Sequence, residues 1–238
     1  MEASWLAVYR ALLILSAGLA VVLVYHVSKY RDEPGGKPLL VLILGGLVYI
    51  GVKLSVSFVK GTPAALTITR LNPLGAGLAV IGFVSLAIEY TDIEYPISRR
   101  TIGVLLVEPV VINVLVWVDI EYLWIPRGPD PNTISGYAWE LTGIAIANQL
   151  YMNALLLFGI LILGRFIYNS ERIFRTQGTV IIFAAILPMI GNLSYYVGYT
   201  PLNPLPIVFV FSALLLMWGI VQSRFLDLTP ISDHAVVN

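Results

Sequence analysis

Hydrophobic residues form seven long runs along the chain, separated by short polar segments. None of these runs alternates between apolar and polar positions, and each meets or nearly meets the length of about 20 residues that a helix needs to cross a membrane. The pattern therefore predicts membrane-spanning helices and disfavours a barrel. The predicted spans cover residues 5–28, 38–59, 73–90, 101–118, 141–165, 178–197 and 206–222.

The segments between these runs are rich in proline and glycine, which favour turns. Pro38, Pro73 and Pro206 stand at the starts of spans, where the missing N–H leaves no helix hydrogen bond unmade. The first run is longer than the apolar core of a signal peptide, so we interpret it as a retained span. The predicted fold is all-α: a polytopic membrane protein with a seven-transmembrane helix bundle.

Lysine and arginine are distributed unequally between the two sets of predicted loops. Nine lie on the side of the C-terminus and three on the side of the N-terminus. Cytoplasmic loops carry an excess of these residues, so we expect the N-terminus outside, the C-terminus in the cytoplasm and the protein in the cell membrane. The nine are Lys29, Arg31, Lys37, Arg99, Arg100, Arg165, Arg172, Arg175 and Arg224, and the three are Lys60, Arg70 and Arg127.

Composition agrees with this topology and excludes several classes of protein. Apolar residues make up 58% of the 238 residues and charged residues 12%, whereas a soluble domain has about 25% charged residues. The 14 basic and 14 acidic residues balance, which argues against a nucleic-acid-binding surface. Without cysteine and with only two histidines, the chain is not expected to bind a metal or cofactor. No catalytic motif is visible, so we predict no catalytic residues and no enzyme activity for this chain.

Polar residues inside the spans are the candidate ligand-binding residues, because buried polar groups are costly in a membrane. Helix rise places one set of them in a single layer of the outer half. This layer predicts a cavity, open to the outside, for an unknown small ligand with an anionic or strongly accepting end. Alternatively, the cations extend to the headgroups and the amides bond neighbouring helices. The layer consists of Arg10, Lys53, Asn113, Asn148, Gln149 and Asn192.

Two further candidates, Glu108 and Asn153, lie below this layer. Pro109 follows Glu108 directly and removes one hydrogen bond from its helix, which leaves a carbonyl free beside the carboxylate. That pair is suited to a ligand, a proton or a neighbouring helix. The alternative is a packing role in which Glu108 bonds to Asn153 or to a backbone carbonyl.

The last predicted span has no lysine, which argues against a retinal protein, since retinal proteins attach their chromophore to a lysine there. Internal repeats and interrupted helices, which are typical of transporters, are not visible in the sequence. A small-molecule or ion transporter nevertheless remains the alternative function, followed by a structural membrane subunit.

The segment after the last span resembles a known family. Residues 224–231 read Arg-Phe-Leu-Asp-Leu-Thr-Pro-Ile, which is similar to the arginine–leucine–aspartate–leucine–proline exit from the last helix in the seven-transmembrane N-terminal sensor region of bacterial and archaeal histidine kinases. Glu108-Pro109 with Trp117 downstream resembles the fourth helix of that family. Weaker matches are Gly136-Tyr137, Gly178, Pro188 and Asn192.

This resemblance implies a sensor in two parts: residues 1–224 as the seven-helix domain in the lipid bilayer, and residues 225–238 as the start of a cytoplasmic linker helix. A stimulus bound among the helices would be relayed to a PAS or kinase output domain in the same protein, which acts as a homodimer. The resemblance implies relay roles for Pro109, Arg224, Leu226, Asp227 and Pro230.

Overall fold

Eight helices and one short hairpin make up the part of the chain that the computed structural model describes, namely residues 3–33, 35–91, 99–130, 133–169, 172–197, 199 and 203–223. The helices are α1 (Ala3–Ser28), α2 (Gly36–Phe58), α3 (Pro63–Thr69), α4 (Asn72–Thr91), α5 (Arg99–Val118), α6 (Gly143–Asn169), α7 (Arg172–Tyr196) and α8 (Leu205–Ser223). The strands are β1 (Trp124–Pro129) and β2 (Tyr137–Leu141), preceded by one 3-10 turn at Ile120–Tyr122.

Each of the seven predicted runs coincides with a long helix of the structure. Five helical segments in the described residues are long and apolar enough to cross a membrane, while those in α5 and α8 are shorter. The mainly helical membrane architecture is therefore confirmed, and the count of seven spans stays a prediction. The five segments are Trp5–Ser28, Gly36–Phe58, Pro63–Thr91, Gly143–Asn169 and Gly178–Tyr195.

Helices α2 and α4 pack against each other at the centre of the bundle because glycine lets their backbones approach. A Cβ atom on Gly75 would lie 2.7 Å from the backbone nitrogen of Tyr49, so that no larger residue fits there. Small residues at such contacts are typical of membrane helices. Around this pair, large apolar side chains from α1, α2, α4, α6 and α7 fill the core: Leu23, Leu39, Ile43, Phe83, Leu86, Leu163 and Ile181.

The hairpin covers one end of the bundle, which we call the hairpin end. Its strands pair antiparallel from Trp124 opposite Leu141 to Pro129 opposite Tyr137, and an ion pair between Arg127 and Glu140 joins them. The loop between the strands is attached to the α2–α3 turn, where the Gly61 nitrogen donates to the Ser135 carbonyl at 2.8 Å. The hairpin is thus held over the helices.

Neither the hairpin nor α3 was predicted from the sequence. Pro126 and Pro129 fall inside β1 and cannot donate to a strand ladder, so this segment carries a weak strand signal. β2 also extends to Leu141, so α6 begins at Gly143, two residues later than the predicted span. Thr142 starts that helix, since its Oγ1 accepts from the Ala145 nitrogen at 3.1 Å.

Candidate functional site

A cavity of about 170 Å³ lies at the hairpin end, between the helices and the hairpin. We call it the polar cavity, because side chains with hydrogen-bonding groups form much of its wall. Ala76, Trp124, Trp139 and Leu205 are among its apolar lining residues. The polar lining residues are Tyr9, Tyr49, Lys53, Thr69, Asn72, Thr133, Ser135, Asn148, Gln149, Asn192, Tyr195 and Asn203.

A second cavity, of about 120 Å³, lies between α2, α4, α6, α7 and α8. We call it the apolar cavity, since Phe83, Leu156, Ile181 and Leu216 are typical of its wall. The two cavities adjoin, because five residues line both of them. These shared residues are Tyr49, Ala76, Gln149, Asn192 and Leu205, and we call them the junction.

Lys53 lies on the wall of the polar cavity with Asn148, Gln149 and Asn192, three other residues of the layer singled out from the sequence. Its Nζ atom lies 5.1 Å from the centroid of the Tyr49 ring, which is a cation–π contact. Within the described part of the chain, Lys53 makes no hydrogen bond or ion pair. The two acidic residues nearest in predicted depth have other partners: Glu140 pairs with Arg127, and Asp119 accepts from the Glu121 nitrogen.

Arg10 lies outside both cavity walls, although the sequence placed it in the same layer as Lys53. Its guanidinium donates to Ser57 through Nε at 3.2 Å to Oγ and through a second bond to the carbonyl oxygen. It also lies 4.7 Å from the ring centroid of Phe58. Arg10 therefore binds the C-terminal end of α2, where free carbonyls favour a cation. These contacts attach Arg10 to α2, and its predicted ligand contact stays a prediction.

Hydrogen bonds at Glu108 and beside Pro109 connect α5 to α6. Asn148 donates to Glu108 Oε1 at 2.8 Å, and the buried Oε2 has no partner among the described residues. Because Pro109 has no N–H, the carbonyl of Leu105 loses its helical donor. The hydroxyl of Tyr151 donates to that carbonyl at 2.9 Å. The freed carbonyl thus serves a neighbouring helix, which was one of the predicted possibilities.

The packing alternative gave Glu108 either Asn153 or a backbone carbonyl as its partner, whereas the structure gives it Asn148. Asn153 donates instead to the carbonyl of Gln149 within α6, at 2.8 Å, and lines the apolar cavity. Asn113 likewise donates to the carbonyl of Pro109 within α5, at 2.8 Å. Neither Glu108 nor Asn113 lines the two cavities.

Asn203 is a wall residue that the sequence analysis missed. The Tyr9 hydroxyl donates to its carbonyl at 3.0 Å, and its Nδ2 donates to the Tyr49 hydroxyl at 3.1 Å. Its Oδ1 accepts from the Leu205 nitrogen at 2.9 Å, at the start of α8. An asparagine shortly before an apolar run is a helix-start signal, but its contacts with α1 and α2 leave no trace in the sequence.

Comparison with known proteins identifies the family of this bundle. The family described as the N-terminal 7TM region of histidine kinase matches residues 12–230. The chain belongs to this family. A comparison with curated proteins finds no match.

As a histidine-kinase 7TM region, the chain is a multi-pass membrane protein, in agreement with its apolar helices. The predicted relay residue Pro109 lies buried within α5, close to α4, where a Cβ on Gly77 would be 3.4 Å from the Pro109 Cβ. The other predicted relay residues, Arg224, Leu226, Asp227 and Pro230, and the linker over 225–238 lie outside the described residues.

Proposed function

We propose that the chain is the sensory module of a histidine-kinase-type signalling protein. A stimulus binds in the adjoining cavities, and α8 relays its presence to a cytoplasmic output domain. The polar cavity carries this proposal, because four residues singled out from the sequence as ligand-binding candidates line its wall. Membership in the histidine-kinase family supports the same role.

Helix α8 supports a relay because one of its faces forms part of the cavity wall. The residues on this face are spaced by four, three and four positions, which places them on one side of a helix. A ligand that favours one arrangement of these side chains shifts the position or the population of α8 directly. The face consists of Leu205, Phe209, Ser212 and Leu216.

The orientation is also part of the proposal: the hairpin end faces the outside, and the far end of α8 faces the cytoplasm of the cell. The excess of lysine and arginine in the loops on the C-terminal side supports this orientation. With it, the polar cavity lies nearer the outside, while a dimeric output domain follows α8 inside.

The experiment joins a histidine kinase core after Asn238 and measures autophosphorylation in proteoliposomes. Phe209→Ala enlarges the cavity beside α8, so we expect it to change the autophosphorylation rate at least threefold. Phe211→Ala is the matched control, because that phenylalanine is 59% exposed on the same helix and lines neither cavity.

Equal rates for both variants and the parent fusion, with unchanged far-UV circular dichroism, would contradict the proposal. A change in both variants of the same size would contradict it as well, because the effect would then not depend on the cavity.

A further inference from the structure

Four polar side chains on the cavity walls make no hydrogen bond or ion pair with the described residues. Asn72 is buried, and its Oδ1 has no hydrogen-bond partner among the described residues. In the same part of the chain, the side chains of Gln149 and Asn192 make no hydrogen bond, and the Lys53 ammonium has a cation–π contact with the Tyr49 ring. Because unsatisfied groups at membrane depth are costly, this arrangement indicates that the cavity holds polar groups: the Asn72 oxygen needs a donor such as water, and Lys53 and the two amide nitrogens need an acceptor.

The charge of the cavity walls indicates which kind of polar group would bind there. Among the described lining residues of both cavities, Lys53 is the one charged side chain, and no carboxylate accompanies it. A partly buried ammonium without a counter-ion is stabilised by an anion. A carboxylate group suits this wall, because it accepts about four hydrogen bonds, which an ammonium and side-chain amides donate.

The candidate donors lie at the junction or next to it. Tyr49, over whose ring Lys53 lies, lines both cavities, as do Gln149 and Asn192. A carboxylate held by Lys53 and these two amides therefore has the apolar cavity beside it. The apolar cavity, at about 120 Å³, is slightly smaller than an apolar cavity of about 150 Å³ that binds benzene. It has room for a short hydrocarbon chain.

Resting on the function proposed above, we infer that the ligand is an amphipathic monoanion, a carboxylate that carries a short hydrocarbon chain. The carboxylate lies at the junction beside Lys53, and the chain extends into the apolar cavity. The polar cavity on the other side of the junction provides the route by which the ligand enters.

The first test measures equilibrium binding of radiolabelled octanoate to the chain in lipid nanodiscs, with empty nanodiscs to subtract partition into lipid. Lys53→Met should weaken binding at least tenfold, since a hydrogen bond to a charged group is lost, while Lys53→Arg should retain most of it. Lys29→Met is the matched control, because Lys29 also lies over a tyrosine ring, at 4.4 Å from Tyr25, but is exposed and remote from both cavities.

The second test varies the chain at a constant head group. From butanoate to octanoate, each added methylene should tighten binding about fourfold, as expected for burial of one CH₂. Ala184→Leu fills part of the apolar cavity from α7 and should abolish this gain, while butanoate binding stays within about twofold of the parent. 1-Octanol, which has no charge, should bind at least tenfold more weakly than octanoate.

Binding no greater than to empty nanodiscs would overturn the inference, and so would equal binding to the parent and to Lys53→Met. Binding of 1-octanol as tight as that of octanoate would also overturn it, because the anion would then be irrelevant. Octanoate that binds through Lys53 without changing kinase output contradicts the sensory function alone. A wall variant that changes kinase output while octanoate fails to bind contradicts the ligand class alone.

Discussion

The bond between Tyr151 and Leu105 should be coupled to Pro109. Tyr151→Phe removes the hydroxyl that serves the Leu105 carbonyl at 2.9 Å and leaves this carbonyl without a donor, because Pro109 lacks an N–H. Interhelical hydrogen bonds in membrane proteins contribute about 0.6 kcal/mol on average and about 1.7 kcal/mol at most. A lost partner for a buried group adds to this cost. We therefore expect Tyr151→Phe to lower the free energy of unfolding by about 1 kcal/mol.

Pro109→Ala changes that outcome, because an alanine at this position supplies the helical N–H to the same carbonyl. In the Pro109→Ala variant, Tyr151→Phe should lower the free energy of unfolding by only about 0.3 kcal/mol, since the carbonyl keeps one donor. The double-mutant cycle should therefore give a coupling energy of about 0.7 kcal/mol.

Unfolding by sodium dodecyl sulfate in mixed micelles, followed by tryptophan fluorescence and circular dichroism, measures these differences. Tyr168→Phe is the control, because Tyr168 is 83% exposed and its change should leave stability within the error. Equal destabilisation by Tyr151→Phe in the parent chain and in the Pro109→Ala variant would refute the reasoning. The hydroxyl would then act on something other than the freed carbonyl.

Two further predictions concern the packing of α2. Arg10→Met should lower the free energy of unfolding by about 1–2 kcal/mol, since the carbonyl of Ser57 loses a charged donor. Arg10→Lys should recover part of this loss. Unfolding in mixed micelles measures both changes. Gly75→Val should prevent the close approach of α2 and α4 and lower the yield of folded, non-aggregated protein in size-exclusion chromatography. Gly18→Ala should be harmless, because a Cβ there meets no atom within 4 Å.

The sequence predicted the depth of the candidate residues in the membrane better than the side of the helix on which each one lies. Helix rise placed Lys53, Asn148 and Asn192 in one layer, and all three line the polar cavity. The same estimate included Arg10 and Asn113, which do not line the cavity. Arg10 donates to a carbonyl of α2, and Asn113 donates to a carbonyl of its own helix, α5. On a helix that is apolar on all sides, the residues that face lipid are similar to those that face protein. The sequence therefore does not show which side of the helix faces the bundle interior.

Contacts between distant segments could not be predicted from the sequence for a similar reason. A lone carboxyl group is costly in a membrane, so a partner for Glu108 could be expected from the sequence. The identity of this partner, Asn148, depends on how α5 packs against α6, which the pattern of a single sequence does not specify. The hairpin was missed because its prolines and glycine are typical of loops, although its tryptophans line the polar cavity.

The hydrogen bonds of Asn203 attach the start of α8 to two other helices. This one residue links α1 and α2 to the start of α8, so that end of the helix is held to its neighbours. From Leu205 to Ser223 the arm is about 27 Å long. A tilt of about 5° about the start of α8 would displace its far end by about 2.4 Å. In the proposed relay, a small change beside the junction would therefore produce a larger displacement at the C-terminal end of the helix.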